Sequence, residues 1–128
     1  MTPAQTETAR RLMALPEWRW REGMRDAGGT VMCIDGAAFV SNLNGARWAF
    51  LPVSLPDLSS PANVGSLLEM LREAAGGTVS AFFFSDGRCE MSVYPPRHRH
   101  EPTRRFVGEA PAHAIALAIL DVLGGSDA

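Results

Sequence analysis

Between Ser60-Pro61 and Gly76-Gly77, the apolar residues Val64, Leu67, Leu68, Leu71 and Ala75 recur every three or four positions. This one-face stripe predicts an amphipathic helix, capped by the serine, started by the proline and stopped by the glycines. Thr2-Pro3-Ala4-Gln5 carries the same start signal, with threonine and glutamine placed for reciprocal capping and proline at the first helical position. That helix should run to about Leu15 and stop before Pro16. A third helix should start at Pro111 and end at Gly124-Gly125, and its only polar members are His113 and Asp121. A helix apolar nearly all round must be covered on more than one side, either deep against a sheet or in a subunit interface.

Elsewhere the pattern changes to short apolar runs separated by turn residues. Asp35-Gly36 divides TVMCI from AAFVSNL, Asn44-Gly45 divides that run from ARWAFLP, and Asp86-Gly87 divides TVSAFFFS from RCEMSVY. Each pair suits a two-residue hairpin turn with positive φ. In the last run Cys89, Met91 and Val93 should face a core while Arg88, Glu90, Ser92 and Tyr94 face out. Phe82-Phe83-Phe84 puts aromatic bulk on both faces, as a strand covered on both sides would. The expected fold is α+β: an antiparallel sheet of β-hairpins with helices packed on it, in the order α-β-β-β-α-β-β-α.

The 128 residues suit a single domain with one core, and 46% hydrophobic with 20% charged residues is ordinary for a globular chain. There is no repeat and no low-complexity tract. No apolar signal region and no run of about eighteen apolar residues occurs, which points to a cytoplasmic protein without a membrane partner. The formal charge is −2 and the pI is near 5.9. That balance argues against duplex DNA as a partner, yet it permits a local basic patch. All twelve basic residues are arginine, the side chain best suited to planar, bidentate contact with phosphate or carboxylate. Cys33 and Cys89 sit in separate apolar runs without C-x-x-C spacing, as two reduced, buried strand thiols would.

Chemistry-bearing side chains crowd only in PPRHRHEPTRR, residues 95–105. His98 and His100 could share one side of an extended chain, but a metal needs a third ligand and the arginines oppose a dication. No metal or cofactor is therefore expected. The stretch reads either as a solvated, proline-stiffened loop or as an anion grip made by Arg97, Arg99, Arg104 and Arg105. Trp18 and Trp20 alternate with Arg19 and Arg21, a layout that could stack a base on an indole or could equally pack two tryptophans into a core. His113, in the first turn of its helix, suits a capping or core-edge role. Signatures of nucleotide-binding loops, nucleophile elbows, zinc proteases and deaminases are absent, so an enzyme is not the expected reading.

Three segments resemble a known group. They are Leu15-Pro16-Glu17-Trp18 with Gly23-Met24-Arg25, then LPDLSSPANVGSLLEMLREA, then GEAPAHAIALAILDVLG. Together they resemble small phage- and prophage-encoded proteins similar to the phage α-β-α sandwich domain, over less than half of the chain. Some proteins resembling that group act as counter-defence sponges that hold nucleotide-derived defence signals in oligomeric pockets. They commonly carry an arginine in the last helix where this chain has Leu117. The resemblance implies mainly the fold and a phage-type origin. Taken with the arginines and tryptophans, the leading expectation is a non-enzymatic, homo-oligomeric protein that binds a small anionic, nucleotide-like ligand. Its phosphate side would be Arg97, Arg99, Arg104 and Arg105, with Trp18 and Trp20 for stacking. The alternatives are a protein-interaction module that inhibits a host defence complex, and an accessory protein without a ligand.

Overall fold

A computed structural model of the protein describes residues 1–35, 38–43, 46–49, 54–96 and 100–124, giving only the backbone course for 33–35, 38–43 and 46–49. Helix α1 (Pro3–Met13) begins where Thr2 Oγ1 accepts the Gln5 N–H at 3.2 Å and Gln5 Oε1 accepts the Thr2 N–H at 2.9 Å. Both expected halves of the capping box are present. Helix α2 (Val64–Ala75) follows a short 3₁₀ turn, Pro61–Asn63, whose Ser60 cap accepts the Ala62 N–H. It ends on Gly76 at φ 65°, a conformation open to glycine at little cost. Helix α3 (Pro111–Gly124) starts and stops where its proline and glycine predict.

The strands form two antiparallel sheets. The first joins β1 (Val31–Asp35), β2 (Ala38–Leu43) and β3 (Ala46–Ala49) in that order. Its register pairs Asp35 with Ala38 and Leu43 with Ala46, leaving two residues at each bend outside the described set. The second sheet joins β4 (Thr78–Phe83), β5 (Cys89–Tyr94) and β6 (Arg104–Gly108), with β5 in the centre.

The α+β class and the hairpin-built antiparallel architecture agree with the sequence. The structure adds one strand, so the order is α-β-β-β-α-β-β-β-α, and the strands divide between two sheets. Strand β6 escapes the pattern because its sequence, RRFVG, begins with two charges and has one half-turn of apolar character. The Asp86-Gly87 bend also differs. Phe84 N–H donates to Arg88 O at 2.9 Å and Gly87 N–H to Phe84 O at 3.1 Å, closing a three-residue loop with Gly87 at φ 96°. This is a hairpin with a glycine bulge, and Asp86 Oδ1 stabilises it by accepting the Arg88 N–H.

Helix α3 lies at the centre of the molecule, packed on β5 and β6 and also against α1 and α2. Ala112 through Ala116, then Ala118, Ile119 and Leu120, are buried. Coverage on more than one side is thus met within one chain, at about 1.5–3 kcal/mol for each large aliphatic side chain removed from water. Cys89, Met91 and Val93 of β5 are buried in the core, as their alternation predicts, but Ser92, expected to face out, is buried as well because it lies on the central strand of the sheet. Gly108 permits the closest approach. A Cβ there would lie 2.3 Å from the Ala114 nitrogen.

The expectation for the phenylalanine run is overturned. Phe82 is 61% and Phe83 66% exposed, because β4 is an edge strand that α3 does not reach.

Candidate functional site

The arginine-rich stretch resolves into parts with different settings. Arg97, His98 and Arg99 lie outside the described residues, while His100 and Glu101 are exposed. Arg104 and Arg105 are consecutive on β6, opposite Val93 and Ser92, so their side chains leave opposite faces of the strand. Arg104 turns toward α3 and forms an ion pair with Asp121. Arg105 lies on the other face, with Glu90 of β5 at 3.7 Å. The two guanidinia therefore do not make one fork from one side.

A groove of about 350 Å³ runs along the free edge of β6, bounded by α1 and α3. Phe106, Val107, Leu117 and Leu120 give it an apolar lining, and Arg11, Arg105 and Asp121 supply charge. The volume falls in the range of about 300–1,000 Å³ typical of small-molecule sites. The Asp121 carboxylate is matched by Arg104, and Arg105 has Glu90 at 3.7 Å. Alternation along β5 and β6 explains the geometry. Cys89, Met91 and Val93 direct their backbone groups to β6, so Arg105 and Val107 direct theirs outward, into the groove. Arg11 lines the groove, and sequence reading did not single it out. It sits beside Arg10 in the last turn of α1, where basic side chains ordinarily serve the helix dipole. Nothing local in the sequence joins it to residues 105–121.

A second cleft, about 190 Å³, is lined by Glu17, Arg21, Met70, Glu73, Ala74 and Leu123. Its arginine is engaged, since Arg21 bonds Glu73 at 2.9 Å and lies 3.7 Å from Glu69. That contact holds the Glu73 carboxyl below the usual range. Two carboxylates in the lining make this cleft poorly suited to an anion.

The stacking expectation for the tryptophans needs correction at Trp18. It is 8% exposed, within the core, and meets Trp20 edge-on with ring centroids 5.4 Å apart. A buried ring presents no free face to a base. Its Nε1–H has no hydrogen-bond partner among the described residues. Trp20 is half-buried at the margin of the same cluster, and Arg19 donates to the carbonyls of Pro16 and Trp18.

His113 joins two helices. Its Nδ1 accepts the Glu109 N–H at 3.0 Å, which places the ring proton on Nε2 for donation to Thr8 Oγ1 at 3.1 Å. The Thr8 hydroxyl in turn donates to Ala4 O at 2.9 Å. Burial lowers the His113 pKa, opposed in part by the Glu109 carboxylate. All of this suits a neutral imidazole tying α1 to α3, the core-edge role expected of it.

Two other buried polar side chains carried no sequence signal, and both are well bonded. Asp26 accepts the N–H groups of Gly28, Thr30 and Ser54 at 2.8–3.0 Å. Asn63 accepts the Arg25 N–H and donates to the carbonyls of Arg25 and Asp57. Their partners are backbone, so they fix loops.

Among the described residues, no three His, Cys, Asp or Glu side chains are placed to share a metal ion. Cys89 is a buried free thiol whose pKa is pushed up by burial and by Glu90, which suppresses the nucleophilic thiolate. The thiol of Cys33 lies outside the described side chains. No helix among the described residues is long and apolar enough to cross a membrane. No family model, curated protein or solved structure matches the chain.

Proposed function

We propose that the protein is a non-enzymatic, homo-oligomeric binder of a small anionic, nucleotide-like ligand, held in the groove between β6, α1 and α3. The observation that carries this reading is the pairing of arginine with an apolar floor. Arg11 and Arg105 border a groove of ligand size whose floor is Phe106, Leu117 and Leu120. Guanidinia suit phosphate oxygens, and the apolar floor suits the flat face of a base. The resemblance to phage proteins that sequester nucleotide signals agrees in ligand class. Leu117, which stands where those proteins carry arginine, lies in this groove, so here the anion would be gripped from α1 and β6 instead of α3.

Calorimetry with linear and cyclic nucleotides, ADP-ribose derivatives and a short DNA duplex tests the reading, using wild type and an Arg11→Ala/Arg105→Ala variant. A nucleotide should bind and the duplex should not. Each charge-assisted contact contributes about 1.5–3 kcal/mol, so the double variant should bind at least about a hundredfold more weakly, at 1.4 kcal/mol per tenfold. Binding unchanged in the variant removes this site, and no binding to any nucleotide by folded wild type removes the reading. A second reading, a protein-interaction module, is favoured by one observation, the exposed Phe82 and Phe83.

A further inference from the structure

The edge of the second sheet formed by β4 has unusual properties for a strand left in water. The Phe84–Arg88 hydrogen bond sets the parity of the β4–β5 ladder. Thr78, Ser80 and Phe82 exchange backbone bonds with β5, and Val79, Ala81 and Phe83 direct their N–H and C=O groups away from it. Among the described residues, no backbone group pairs with that outward row. Exposed edges are ordinarily protected by charge, proline, a bulge within the strand or a covering segment. From Thr78 to Ser85 there is neither a charged residue nor a proline, and two of the three phenylalanines are mostly exposed.

We propose that β4 pairs antiparallel, edge to edge, with β4 of a second copy of this chain, merging two three-stranded sheets into one. This rests on the homo-oligomeric part of the function proposed above and not on its ligand. The strand is complementary to itself. With Ala81 facing the copy's Ala81 across a two-fold axis, every outward-directed residue meets another outward-directed residue, so each N–H finds a carbonyl. The smallest side chain of the outward row sits at the axis. On the helix-facing side, Phe83 then lies opposite the copy's Val79, which is half-buried at the margin of its own core. Aromatic and β-branched residues form favourable cross-strand pairs, and here Phe83 would extend the copy's core. On the other side Phe82 lies opposite the copy's Ser80. The absence of charge distinguishes this partner from others. Self-pairing brings no like charges together, and a charged peptide or an acidic surface would find nothing on the strand to neutralise it.

The test begins with light scattering coupled to size exclusion on the full chain at tens of micromolar, together with amide hydrogen exchange. The mass should be twice 13.8 kDa. The amides of Val79, Ala81 and Phe83 should be protected in the dimer and lose protection on dilution. Two variants probe the edge from different directions. Ala81→Pro removes an outward donor without touching the β5 ladder, and Phe83→Lys places a charge beside the copy's core. Each should raise the dimer dissociation constant at least tenfold. A wild-type monomer sinks both this inference and the oligomeric part of the proposed function. A dimer whose Val79, Ala81 and Phe83 amides exchange freely, or one that persists in Phe83→Lys, sinks the β4 interface alone. The exchange result decides even if Ala81→Pro does not fold.

Discussion

Strands β4 and β6 bound the same sheet, pair with the same central strand, and are finished in opposite ways. Strand β6 carries Arg104 and Arg105, lies against α3, and ends in a glycine pressed on that helix. Strand β4 carries no charge and exposes phenylalanines on both faces. One edge is built to remain single, with a groove beside it. The other has the chemistry of a strand awaiting a neighbour. If β4 pairs as proposed, charge placement along the sheet separates an edge that solvates from an edge that pairs, although both are equally unpaired by topology.

The largest change should come from closing the gap on the β6 side. In Gly108→Ala the added methyl would overlap the Ala114 nitrogen at 2.3 Å and its Cα at 2.7 Å, both backbone atoms that cannot swing aside. Urea denaturation should show a loss on the order of 3 kcal/mol. A stability unchanged within error would mean that β6 is not held on α3.

Acidification should weaken the same side. The pKa of His113 is below its ordinary 6.5 when folded, chiefly through burial. The unfolded chain therefore takes up a proton at higher pH than the folded one, and stability rises with pH between the two values. The contribution is complete above about 6.5 and is lost as pH falls through that window toward the lowered folded value. His113→Leu should flatten this dependence in a thermal-melt series against pH, at the cost of leaving the Glu109 N–H without its acceptor.

A smaller effect is expected at the ion pair that marks β6. Arg104→Ala removes the contact with Asp121, and since both side chains are partly exposed the cost should be about 0–1 kcal/mol. The smallest is on β4. Phe82→Ser should alter the stability of the isolated chain by no more than about 0.5 kcal/mol, because the ring is mostly in water already. Measured below the dimer dissociation constant, a much larger loss would show that its edge-on contact with Phe84, ring centroids 5.1 Å apart, matters more than its exposure implies.

The helices were legible because their signals are local. Thr2, Ser60 and Pro111 at the starts and Gly76 and Gly124 at the stops each act within one turn. The β5 alternation was legible for the same reason. What escaped depends on distance. Phe82-Phe83-Phe84 reads as doubly covered until the order of strands is known, since composition does not say which strand ends a sheet. Arg104 and Arg105 end a stretch that reads from sequence as a solvated loop or an anion grip and not as a strand, because a short edge strand gains its identity from Ser92 and Val93 across the ladder. For the site, Arg105 was within reach of the sequence and Arg11 was not. Their meeting is made by the packing of α1 and β6 around α3.

The hydrogen bond from His113 to Thr8 spans a sequence separation of 105 residues. Thr2 likewise meets Glu109 across 107. During synthesis the first helix of the chain emerges long before either partner exists, and loop closure on this scale has to precede the contact. Helix α1 must therefore wait beside the ribosome with its inner face open, a period in which a chaperone has its best opportunity to bind. A product truncated before Glu109 would lack both of these partners and leave that face of α1 open.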